Sequence, residues 1–90
     1  MVKEKTRSKE NSGNGSNQEW VLVILNDEHN SFQHVIDTLV KVCSHDPYQA
    51  EQCALIAHSK GSCQVKVGRK PVVESMRKRL TAEGLTAIIE

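Results

Sequence analysis

The chain lacks any apolar run long enough to cross a bilayer. Its longest, "WVLVIL" at residues 20–25, has six residues, where a spanning helix needs about 20. No apolar segment follows the positive charges near the amino end, so a secretory signal is not expected. The expectation is a soluble, cytoplasmic protein. Cysteine is sparse and odd in number: Cys43, Cys53 and Cys63 stand without CxxC spacing, which fits reduced, buried thiols better than a disulfide framework. The four histidines form no short-spaced ligand pair with them, so neither a zinc site nor any other cofactor is expected. Surplus charge is missing too. A net charge of +1 does not suit a protein held to nucleic acid mainly through phosphates.

What charge there is divides unevenly. Residues 20–60 carry Asp27, Glu28, Asp37, Asp46 and Glu51 against Lys41 and Lys60, whereas residues 61–90 carry Lys66, Arg69, Lys70, Arg77, Lys78 and Arg79 against three acids. The first half should attract a cation and the second an anionic surface. Before both, "MVKEKTRSKENSGNGSNQE" has Val2 as its one apolar residue after the initiator Met, too little to offset the entropy of ordering. Residues 1–19 are expected to be a disordered extension and residues 20–90 a single domain.

Within that domain, "WVLVIL" reads as a buried central strand. Phe32, Val35, Ile36, Leu39 and Cys43 then recur on one stripe of a helix, with Asn30 or Ser31 able to cap it and Gln33 or His34 at the reciprocal position. Asp46 and Pro47 open a second helix, with Gln49 placed to close a capping box, Ala50, Cys53, Ala54 and Ala57 as its inner stripe and Gly61 as its stop. "SCQVKV" alternates, so Cys63, Val65 and Val67 are expected to face the core. Val72, Val73, Met76 and Leu80 mark a third helix over residues 71–83, ended by Gly84, and "LTAII" a last strand. The order β-α-α-β-α-β predicts an α+β domain, a three-stranded sheet with helices packed on one face.

Between the first strand and the first helix lie six consecutive polar residues, Asn26 to Ser31. A turn followed by a helix cap needs fewer. With "VLVILNDEHNSFQHVIDTLVKV" followed by "AEQCALIAHSKGSCQV", the chain resembles the ClpS adaptor family, whose pattern is a strand ending in Asn-Asp-Asp/Glu, a helix with Val-Ile-Asp-x-Leu and a later helix closing with His-x-x-Gly. The resemblance covers residues 20–90. It implies a fold similar to the ribosomal stalk protein C-terminal domain. It also implies an adaptor, not an enzyme, that binds N-degrons, meaning a free α-amino group with a bulky apolar first residue. The substrate would pass to the N-terminal domain of a Clp-family AAA+ ATPase, with the adaptor a monomer. By the same resemblance Asn26, Asp27 and His58 bind the α-amino group, Asn30 holds the peptide main chain, and Phe32, Val35, Ile36, Ala54 and Ala57 form the hydrophobic pocket. His29, Ser31, Phe32 and Ala54 depart from the family pattern, which at the last two carries methionine.

Two rival readings differ in class. An interaction module of the ribosomal stalk type, without N-degron binding, would present a basic, Gly-rich helix surface in place of the polar knot. An enzyme pairing His58 with Cys43, Cys53 or Cys63 as nucleophile would need an accessible thiol, whereas all three fall on inward positions.

Overall fold

The computed structural model describes residues 18–90; the extension expected at the amino end lies almost wholly outside them. Strand β1 (Trp20–Leu25) is followed by helices α1 (Phe32–Cys43) and α2 (Pro47–Lys60), strand β2 (Ser62–Gly68), helix α3 (Lys70–Ala82) and strand β3 (Thr86–Ile89). This is the expected α+β order. β1 is central and antiparallel to both neighbours, giving the order β2-β1-β3.

Local chemistry sets the helix ends. Ser31 caps α1 by accepting from the His34 N–H at 3.0 Å, and Asp46 caps α2 by accepting from the Gln49 N–H at 2.8 Å. No reciprocal bond closes either box among the described residues. The Gln33 amide instead donates to Asp37, and the His34 ring meets the Glu83 carbonyl at 2.7 Å. Gly61 stops α2 in the left-handed region (φ 95°), where a Cβ would be strained. α3 begins and ends one residue earlier than the sequence pattern suggests.

One face of β1 supplies Leu22 and Ile24 to a core shared with Leu39, Val42, Ala50, Val73 and Leu80. Leu22, Leu39, Val73 and Leu80 are completely buried, each contributing about 1.5–3 kcal/mol relative to exposure. The expectation for β2 needs correction. Cys63 and Val65 are buried as expected, but Val67 is 48% exposed. Leu22 pairs with Lys66 and Val23 with Gln64, so Val65 is an extra residue, a bulge. It shifts the alternation by one and turns Val67 to the face that bears Val21. The ring of buried His45 meets the Val65 carbonyl at 2.9 Å through Nε2, while its Nδ1 has no partner.

Candidate functional site

β1 runs out at Leu25, and the next residue is tied at once to the end of α2: the Asn26 N–H donates to the Gly61 carbonyl at 2.9 Å. Because Gly61 closes the last turn of α2, this bond brings the strand tip beside His58. Between them opens a cavity of about 390 Å³. Its buried lining consists of Ile24, Ala54, Ala57 and Leu85, each no more than 5% exposed, with Leu25, Val35 and Phe32 completing the apolar wall. Its polar lining is Asn26, Asp27, Glu28, Asn30 and His58; Asn26, Glu28 and His58 are exposed and therefore form the rim.

The structure brings together every residue proposed for this site except Ile36. That side chain is half-buried against the core cluster and does not line the cavity. The reason is helical rotation: one residue beyond Val35 the stripe has turned from the cavity toward Leu39 and the sheet. Phe32 departs from its stripe in the opposite sense. At the first position of α1 it lies beyond the core and is 41% exposed at the cavity. Ile24, Leu25, Glu28 and Leu85 were not anticipated. Leu85 arrives from the α3–β3 turn, a long-range approach with no local sequence signal.

The polar side chains are not equivalent. Asp27 Oδ1 accepts from the N–H groups of His29 at 2.9 Å and Asn30 at 3.1 Å and from the Asn30 amide at 3.0 Å. Its Oδ2 accepts from the same amide at 3.1 Å and the Thr86 hydroxyl at 3.4 Å. Partial desolvation acts to raise the Asp27 pKa, but the bonds from His29, Asn30 and Thr86 outweigh it and hold the carboxyl below its ordinary value. Asp27 is thus a fixed anion whose lone pairs are largely occupied. By contrast, the Asn26 amide and the His58 ring have no partner among the described residues. Among the described residues the arrangement offers unpartnered polar groups beside a fixed negative charge, over an apolar hollow.

The thiols lie apart from this chemistry. All three are buried and free. Burial raises the Cys43 pKa, and burial with the neighbouring Cys63 pushes Cys53 up to about 12. Such groups are thiols at neutral pH and poor nucleophiles. Among the described residues no three His, Cys, Asp or Glu side chains gather to hold a metal ion, and no helix is long and apolar enough to cross a membrane.

No curated protein matches the sequence significantly. Among solved structures, ClpS2 of Agrobacterium tumefaciens bound to L-phenylalaninamide superposes with a TM-score of 0.78 at 23% identity, over 80% of this chain and 94% of that one. That likeness establishes the fold. A family model, ATP-dependent Clp protease adaptor protein ClpS, matches residues 15–88. With most of its length matched, the chain belongs to the ClpS family of Clp protease adaptors.

Proposed function

We propose that this adaptor binds N-degrons in the 390 Å³ cavity and delivers them to the N-terminal domain of a Clp-family AAA+ ATPase in the cytoplasm. One observation carries the binding half: Asn26 and His58, which have no partner among the described residues, stand beside an anionic Asp27 on the rim of an apolar hollow. A free N-terminus is a cation with up to three N–H donors, which an internal peptide bond cannot offer. The Asn26 carbonyl and a His58 ring nitrogen accept directly, and Asp27 supplies the opposing charge. The cavity is at the small end for ligand pockets, suited to one bulky side chain and too small for a folded segment. Charge-assisted bonds worth about 1.5–3 kcal/mol each, with a similar term for burying the side chain, leave roughly micromolar affinity after association costs. Delivery rests on family membership.

Peptides beginning with free Leu, Phe, Tyr or Trp should bind, and their N-acetylated forms should not, because acetylation removes the charge and leaves a single N–H donor. Fluorescence anisotropy measures both. Equal binding of the two forms ends the amine-recognition reading, and binding of neither favours an interaction module without N-degron recognition.

A further inference from the structure

The loop after β1 and the turn before β3 are far apart in sequence, yet one side chain joins them. The Asn30 amide nitrogen donates to the Gly84 carbonyl at 2.8 Å and to the two oxygens of Asp27 at 3.0 and 3.1 Å. An amide has two N–H hydrogens. One serves Gly84 and the other is shared across the carboxylate, so nothing remains to donate to a bound peptide. Thr86, two residues past Gly84, reaches the same carboxylate from β3. The turn is shaped for this contact: Gly84 has φ 94°, and a Cβ there would sit 3.4 Å from Asn30 Oδ1. Any other residue would be strained by that backbone conformation, although its Cβ would only touch Asn30 at van der Waals distance. The turn is braced from α1 as well, since the Lys41 ammonium binds Glu83 at 2.6 Å and the His34 ring meets the Glu83 carbonyl.

We infer that Asn30 is a positioning residue, a clasp that fixes Asp27 against the Gly84–Thr86 turn, and that this turn is a structural half of the amine-binding site. The inference rests on the N-degron reading for its ligand, though not for its geometry. Asn30 acts through Asp27: its amide sets where the negative charge stands. Only its carbonyl oxygen is left to meet a peptide N–H. The alignment of amine and anion therefore depends on residues 83–86 as much as on residues 26–31.

Two near-isosteric variants of the full chain test this. Asn30→Asp replaces the donor with an acceptor facing Asp27 and Gly84; Thr86→Val removes one donor to Asp27 while keeping the side chain's shape. Affinity for a peptide with a free N-terminal Phe should fall at pH 7.5 by about tenfold or more in Asn30→Asp and by about two- to fivefold in Thr86→Val. The deficit of Asn30→Asp relative to wild type should shrink toward pH 5, as the introduced carboxyl takes up a proton and can donate to Asp27. Glu28, His29, His34, His58 and Glu83 are common to both proteins and make no side-chain hydrogen bond to the substituted side chain, whereas Asp27 titrates as a pair with the introduced carboxyl, which is the effect the ratio reads. In both variants the backbone amides of His29 and Asn30 should exchange faster with deuterium. Should Asn30→Asp fail to fold, Thr86→Val alone decides. Unchanged exchange, unchanged affinity in a wild type that binds, or a deficit constant with pH overturns the clasp. A wild type that binds no free-amine peptide overturns the N-degron reading instead, and the exchange data still decide whether Asn30 holds the loop.

Discussion

Phe32 stands at the first position of α1, 41% exposed beside the cavity, with Ala54 on the facing helix 4% exposed. One wall of the pocket is therefore a flat, stiff ring and the other a methyl group. A β-branched first residue carries its extra methyl next to its own backbone, which on the proposed reading sits at the cavity rim, and Phe32 lines that cavity. Phe32 should therefore reject Ile and Val while admitting Leu, Phe, Tyr and Trp, discrimination by clash rather than by attraction. Phe32→Ala should bring peptides beginning with Ile or Val to within about tenfold of the Leu peptide, a change of about 1.4 kcal/mol in relative affinity for each factor of ten. Anisotropy titrations against the wild type measure this, and unchanged rejection of Ile would move the gate elsewhere. Phe32 was legible in the sequence as a wall residue. Asn30 was legible only as a site member, because its partner Gly84 lies 54 residues away and no periodicity encodes such a contact.

The helices were readable because their signals are local. Apolar residues at spacings of three and four, Ser31 and Asp46 as caps and Gly61 as a stop lie within a few residues of what they control. The sheet was less so. Cys63, Val65 and Val67 alternate without interruption, yet the bulge at Val65 reverses the face of Val67, and valine is acceptable on either face. What holds the bulge comes from outside the strand: the His45 ring, buried between α1 and α2, meets the Val65 carbonyl. His45→Phe keeps an aromatic ring but leaves that carbonyl without this donor, at a cost of about 1–3 kcal/mol for an unmade buried bond. Losing the orphaned Nδ1 offsets part of it. Urea denaturation should therefore show a lower midpoint with an unchanged slope. An unaltered midpoint would mean that the ladder holds the bulge without His45.

Across the whole molecule, the uneven charge of the sequence corresponds to a division of the fold. Asp27 and Glu28 line the cavity, whereas Lys70, Arg77, Lys78 and Arg79 belong to α3, where Arg77 is paired with Glu74 and Lys70 lies 4.9 Å from the centre of the Trp20 ring. On the proposed reading, substrate capture belongs to the acidic side. Handing over requires a second activity, and we propose that the Lys-, Glu-, Ser-, Asn- and Gly-rich residues before β1 supply it, as the resemblance to ClpS adaptors implies. The two activities should separate cleanly. Among the described residues the cavity is lined from Ile24 to Leu85, so deleting residues 2–18 should leave affinity for a peptide with a free N-terminal Phe unchanged within about twofold, under 0.5 kcal/mol. Degradation of an N-degron substrate by the cognate ATPase and protease should nevertheless be lost, measured as the disappearance of a fluorescent substrate with both adaptors at matched saturation. Equal degradation rates with the full-length and shortened adaptors would place the delivery function in residues 19–90, and a loss of peptide affinity on deletion would show that the first residues contribute to the pocket itself.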